Sequence, residues 1–538
     1  MRFAACLAML LTSIAVAAPT TEPAFTNSGE GAGASIDGQT IRLLNGGERE
    51  VNQVAMPATT TDPPRWIEIR ADLKLDPGGE GLGLLLLNAD LAGRDAPVAP
   101  LELPEEPNVA DAIGIGFDSR NPASNDAFDA DGNLYDRPQR EVSVHVDGRE
   151  ILNRQSADFA TGEPVPLLVR LDFVVGGAKL TVRVGEVSVY ENEFLPSVRP
   201  FVPRLVIAAR AGGKVKLDVA KLDVKTGPSA GDAFPSPRRV VLFDKSVVSV
   251  ATSREPSAVI GFNDLPKEVG RVICTLKLAT PPGGAMDKWD RRGALYLYTP
   301  DKQRYEVLRF KTPFLKEWEW QADVTDFLPL LNGTQKFGMF IDTWRDGFAM
   351  SAMLDFYPGK PERTPIKVVN LWQGEPIIGD AKMPVQKFFD EKTVPMPPGA
   401  TGAKVRMIVS GHGQFPNSKN AAEFLGLGRS LWVNRREFQN LLWKTDNYLN
   451  PCRPQKGTWK YDRAGWGPGA ITPAWVIDLD PIVRQSPKEL TLDYAIMDEY
   501  VNEHIGKGDP PTHWVDGQVI FYGDGAMTKP ATRATNAK

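Results

Sequence analysis

Short apolar runs, each five to ten residues long and each stopped by Gly, Pro or a polar turn, recur along almost the whole chain. Clear cases are Trp66–Leu75 (WIEIRADLKL), Glu141–Val146 (EVSVHV), Leu167–Phe173 (LLVRLDF), Val272–Leu278 (VICTLKL), Ala294–Tyr298 (ALYLY) and Tyr305–Phe310 (YEVLRF). Lys404–Val409, Trp475–Leu479, Leu490–Tyr494 and Gln518–Tyr522 follow. Side chains alternate faces along an extended strand, so these patterns specify half-buried or fully buried strands. The 49 Gly and 45 Pro exceed the usual combined share of about 12% and favour turns over long helices. Two short helices are expected, at Asp326–Leu331 and Phe438–Trp443. Many short antiparallel strands mean an all-β chain of sandwiches or jelly rolls.

The 538 residues suffice for three or four domains at about 150 residues each. Gly227–Arg239 (GPSAGDAFPSPRR) and Tyr357–Pro365 (YPGKPERTP) read as linkers, the second stiffened by three prolines. The expected units are residues 18–226, 239–358 and 366–524, with a linker at 227–238 and a frayed tail at 525–538. The first unit, set off by its linker, is expected to be dispensable for chemistry. A net charge of −5 argues against nucleic acid as a partner. The four His are His145, His412, His504 and His513, few for chemistry that needs several.

Residues 1–17 (MRFAACLAMLLTSIAVA) have the basic start, short apolar stretch and small-x-small end of a signal peptide. Export to the periplasm or medium is expected, and no other stretch reads as a transmembrane segment. Cys6 would leave with the leader, so Cys274 and Cys452 remain, too few for a disulfide framework.

In the first unit, Glu80–Leu87 (EGLGLLLL), Ala112–Asp118 (AIGIGFD) and Glu141–Gly148 (EVSVHVDG) resemble the concanavalin-A-like, L-type lectin fold in order and spacing. The resemblance implies a lectin-like jelly-roll sandwich. Glu80 stands at the family's sugar-binding Asp and Gly116 at a metal ligand, while His145 is off the family's His position. The loop Asp126–Asp136 (DAFDADGNLYD) places Asp129, Asp131 and Asn133 at calcium-ligand spacing but lacks the Gly and Glu of that loop class, and reads equally as a solvated turn.

Further along, MDKWDRRGALYLY (286–298), RFKTPF (309–314), DVTDFLPLLNGT (323–334), MFIDTW (339–344), SGHGQF (410–415), AAEF (421–424) and DRAGWGPG (462–469) occur in one order. Together they resemble the peptide-N-glycosidase F family, over residues 239–524. The resemblance implies two side-by-side antiparallel jelly rolls with an active site between them. It also implies an amidase that removes N-glycans from asparagine. It places Asp290 at the principal catalytic Asp and Glu423 at the second carboxylate. Asp342 falls at a third catalytic position where the family has Glu, its reach shorter by about 1.5 Å. Asp287, Trp289, Arg291, Trp344, His412, Arg463 and Trp466 are implied as substrate-binding, with His412 standing where the family has Trp. Of the family's disulfides, Ala421 and Leu425 occupy one pair, and Cys452 faces Gly467 in another, leaving a free thiol.

These residue types suit the chemistry. Hydrolysing an amide requires an activated water, a stabilised oxyanion and help for the leaving nitrogen. Neighbouring carboxylates in a partly dry cleft drive their pKa values apart. Trp faces stack on sugar rings, and Arg offers a fork of donors. No cofactor or metal is called for, the expected partner is an N-linked glycoprotein or glycopeptide substrate, and a monomer is expected. A non-catalytic carbohydrate-binding protein on the same jelly rolls is the alternative reading. Copper monooxygenases also use paired jelly rolls, but need a set of His and Met ligands that four scattered His do not suggest.

Overall fold

A computed structural model describes residues 23–121, 139–344, 347–413, 422–497, 500–501 and 510–523. The expected leader at residues 1–17, the acidic loop Asp126–Asp136 and the expected tail at 525–538 lie outside the described residues. The chain is all-β: a lectin-like sandwich followed by two side-by-side jelly rolls. No helix among the described residues is long and apolar enough to cross a membrane.

The first sandwich is a pair of seven-stranded antiparallel sheets. In the strand Trp66–Leu75, Ile67, Ile69, Ala71, Leu73 and Leu75 all enter the core. They meet Leu82, Leu84, Leu86, Ile113, Ile115, Phe117, Val142 and Val144 from the opposing sheet. Burying each large apolar side chain contributes about 1.5–3 kcal/mol. The same alternation puts Gly83 and Gly116 on the outer face. There residues 104–107 lie so close that a Cβ at Gly83 would sit 2.0 Å from the Pro104 carbonyl oxygen, and one at Gly116 2.0 Å from that of Glu105. The glycines make a groove, and this strap fills it.

Each jelly roll packs one four-stranded antiparallel sheet on another. The expected helix at Asp326–Leu331 forms as a 3-10 turn, Thr325–Leu330, started by Asp323 accepting from the Thr325 N–H at 2.9 Å. The expected helix at Phe438–Trp443 does not form. Arg436–Leu442 is instead a strand paired with Leu427–Val433. Its cause is the two-residue turn Asn434-Arg435, both at positive φ (47° and 70°), the conformation that reverses a tight hairpin.

A buried polar seam joins the two rolls. Arg309 pairs with Glu306 at 2.6 Å and donates to Trp514 O at 2.6 Å and Ser410 Oγ at 3.1 Å. Arg406 donates to the carbonyls of Glu306 (3.1 Å) and Val307 (2.8 Å) and to Gln518 Oε1 (2.9 Å). Val368, Ile520 and Tyr522 of the second roll complete the apolar cluster of the first.

The first sandwich is fastened to both rolls. Arg149 meets Glu319 at 3.1 Å, and the Arg271 guanidinium stacks on Phe194 at 4.1 Å. On the outer face of the sheet, Arg453 from the second roll enters a carboxylate cluster, 3.0 Å from Glu141, 3.5 Å from Glu106 and 3.7 Å from Glu150. His145 lies behind it, against Asn108 at 2.7 Å and Ser143 at 2.8 Å.

Candidate active site

Asp290 sits on the loop entering the strand Arg292–Tyr298. The loop is held from below. Asp287 is fully buried and accepts from Arg291 Nε (2.7 Å), Thr343 Oγ1 (2.8 Å) and the Trp289 N–H (3.2 Å). Burial raises its pKa, but these donors outweigh burial and hold it below the usual range. Thr312 closes the other side, accepting from the Arg291 N–H at 2.7 Å and donating to Trp289 O at 3.1 Å.

The Asp290 carboxylate is thereby aimed at the seam, with 15% of its side chain exposed. Its Oδ2 has no hydrogen-bond partner among the described residues and lies 3.7 Å from Arg463 Nη2. Glu423 approaches from the second roll, 20% exposed, 3.3 Å from Arg463 Nε. One guanidinium therefore bridges two carboxylates from different rolls. Arg463 is fixed by donating to Thr458 O (2.7 Å) and Thr458 Oγ1 (2.9 Å). Burial raises the pKa of both carboxylates; Lys311 and Arg463 pull against it, and Asp290 pushes Glu423 further up.

Asp342 lies at the rim, paired with Arg292 at 2.8 Å and Arg254 at 3.4 Å. The Arg254 guanidinium covers the Trp344 ring at 3.9 Å. Trp289 and Trp344 are 49% and 61% exposed, so both present free ring surface.

Four implied sugar contacts are placed otherwise. Asp287 has no exposed side-chain surface and serves as the anchor of its loop. Arg463 is buried and addresses the two carboxylates. His412 and Trp466 are buried and stacked on each other at 5.6 Å, a layer behind the carboxylates, with Trp466 Nε1 donating to Gly411 O at 2.7 Å. Cys452 is free and buried, but it packs against Gly469 rather than Gly467; burial pushes its thiol up to about 12. The residue that sequence reasoning missed is Lys311, wholly buried beside Asp290 and Glu423. Its signal was its spacing: Arg309 and Lys311, two apart on one strand, share the face turned to the second roll, while Phe310 enters the core.

Two desolvated carboxylates with raised pKa values, joined by a buried cation and flanked by exposed indoles, define a class of site. It is suited to moving protons on a water molecule beside a ring-bearing substrate. The family follows. Residues 298–356 match the model of the N-terminal domain of peptide-N-glycosidase F, and residues 383–514 that of its C-terminal domain. Over these two segments the paired jelly rolls are similar to the peptide-N-glycosidase F family. Glu423 and Arg463 fall inside the matched segments; Asp290 lies before them.

Among curated proteins, the chain is 29% identical over 208 residues to peptide-N(4)-(N-acetyl-beta-D-glucosaminyl)asparagine amidase F of Elizabethkingia miricola. The alignment covers 36% of this chain and 58% of that relative. Among solved structures, PNGase F from Flavobacterium meningosepticum, described as a glycosylasparaginase, is 23% identical with a TM-score of 0.47, covering 54% of this chain and 97% of that one. The VIP36 exoplasmic/lumenal domain, in a form bound to Ca2+ and Man3GlcNAc, is 16% identical with a TM-score of 0.28, covering 38% of this chain and 85% of that one.

Proposed function

We propose that the protein is an exported amidase that hydrolyses the β-aspartylglucosamine bond of N-glycopeptides or N-glycoproteins. The observation that carries this reading is the Asp290–Arg463–Glu423 bridge across the two rolls. Asp290, short of a hydrogen-bond donor and disfavoured as an anion by burial, is a base for water. Glu423 orients that water, and the proton taken up by Asp290 is returned to the leaving nitrogen. Water adds to the side-chain carbonyl of the glycosylated Asn, the C–N bond breaks, and the products are Asp and a 1-amino sugar that loses ammonia. Asp342 organises the rim through Arg292 and Arg254. The leader at residues 1–17 supports export.

Incubation with N-glycopeptides carrying different core sugars, followed by peptide mass, tests the reaction. The expected product is a deglycosylated peptide with the former Asn converted to Asp. A peptide retaining one core sugar indicates an endoglycosidase, and binding without release indicates a carbohydrate-binding protein; either outcome overturns the proposal.

Trp289 and Trp344 are read as sugar platforms. Because their rings are exposed, their loss removes stacking without opening a core. Each Trp→Ala variant is expected to raise KM about tenfold, which is about 1.4 kcal/mol, with little change in kcat. A fall in kcat at constant KM would place the indoles in the reaction rather than in binding.

A further inference from the structure

We propose that Lys311 is a positioning residue for this site: its ammonium, held against His412 and the Trp466 ring, is the counter-charge that favours the ionised forms of Asp290 and Glu423. The inference rests on the amidase reading given above. Lys311 ends the strand Arg304–Lys311, and its backbone crosses to the second roll, donating to Ala470 O at 3.0 Å and accepting from the Gly469 N–H at 3.1 Å. Its Nζ lies 3.2 Å from His412 Nδ1 and 3.8 Å from the Trp466 ring centre. His412 Nε2 lies 2.7 Å from Ser410 Oγ, which also accepts from Arg309.

With Lys311 charged, the hydrogen-bond chain has one consistent assignment. A charged Lys311 donates to Nδ1 of a neutral His412, whose Nε2–H donates to Ser410. Burial, together with Lys311, Arg292, Arg309 and His513, holds His412 well below the usual range, so it stays neutral and accepts. The Arg463 guanidinium, which bridges Asp290 and Glu423, lies over the same Trp466 ring at 4.7 Å, so Lys311 shares one pocket with both carboxylates, and their attraction is opposed by Arg292 and Arg463. Burial brings Lys311 down to about 7, and the two carboxylates oppose that fall. The attraction is mutual, so the same charge lowers the carboxylates. An ammonium buried this deeply costs stability unless its charge is answered, and those two carboxylates answer it.

The test is Lys311→Met, which keeps the volume and removes the charge. The acid limb of the kcat/KM profile should move upward by about one pH unit, the size expected for loss of an opposite charge nearby, while KM at the optimum stays unchanged. The Asp290 titration, followed by carbon-13 NMR on aspartate-labelled protein with Asp290→Asn as the assignment control, should move by the same amount. A move of less than about half a pH unit, well short of that expectation, in a folded variant overturns the proposal. So does a loss of KM or melting temperature with both titrations in place, since a packing role would give that. If Lys311→Met does not fold, His412→Leu, which removes the acceptor that aims Nζ, must move the titration in the same direction. The NMR titration needs no turnover. A wild-type protein that releases no glycan therefore defeats the amidase reading while Lys311 is still decided by the carboxylate.

Discussion

Asp290→Asn is expected to lower turnover of an N-glycopeptide by about 10²–10⁴-fold, the contribution of a positioned general base, and to leave the fold intact. Asn has nearly the same shape but cannot take a proton from water. The protein should not be destabilised. The native carboxylate is disfavoured by burial and its Oδ2 lacks a hydrogen-bond donor among the described residues, so the penalty relieved by a neutral amide offsets the loss of one of the two carboxylates that answer Lys311. Peptide mass after timed incubation gives the rate, and a thermal melt gives the stability. Turnover close to wild type would remove Asp290 from the reaction. The pH profile carries the same logic. Burial raises both Asp290 and Glu423, so activity should fall with decreasing pH already above the ordinary carboxylate range.

The second large effect is structural. Arg453→Ala should destabilise the protein by about 3–5 kcal/mol, the cost of breaking a buried charge cluster from one side. It strands Glu106, Glu141 and Glu150 around an empty position. The pH dependence follows from Glu106, which burial and Glu150 raise from 4.5 to about 8 although Arg453 opposes them. A carboxyl raised on folding is most favourable in its protonated form. Its stabilising contribution is complete below its unfolded pKa and is lost as pH rises through about 8. The damage done by Arg453→Ala should therefore be smallest near pH 5 and largest near pH 9, and melts at the two values measure it. A difference that is equal or reversed would show that Glu106 does not titrate this way. The same contacts set a different expectation for the first sandwich, which the sequence alone makes dispensable. Arg453 and Arg463 lie on one connected loop, pinned by Asn447 donating to Tyr461 O at 2.8 Å and Trp466 O at 3.1 Å. Removing the first sandwich is therefore expected to disturb the segment that carries the bridging guanidinium, and glycan release by a protein starting near Arg239 measures it.

Strands were legible where one rule sufficed. Trp66–Leu75 alternates so regularly that its limits in the fold match those in the sequence. Phe438–Trp443 misled because FQNLLW suits either period over six residues, and the deciding feature is the backbone of Asn434-Arg435. Asp290 and Glu423 became candidates through family motifs. What brings them to one guanidinium is the meeting of two sheets far apart in sequence. Asp287, His412 and Trp466 show the limit of motif reading. A motif marks proximity to a site, but which side chain faces the cleft and which supports it from behind depends on burial. Lys311 was missed for the complementary reason: a Lys at a strand end normally reaches solvent, and only the neighbouring roll covers this one.

The seam between the rolls also bears on modularity. Two sandwiches that share an apolar cluster through Val368, Ile520 and Tyr522, and that satisfy Arg309 and Arg406 from both sides, are not interchangeable parts. Cutting between residues 358 and 365 would strip Arg309 and Arg406 of the acceptors each takes from the other half and bare the apolar surface the halves share. Recombination can therefore exchange the pair as a whole, but not one member of it, and variation in specificity is confined to the loops that ring their common edge.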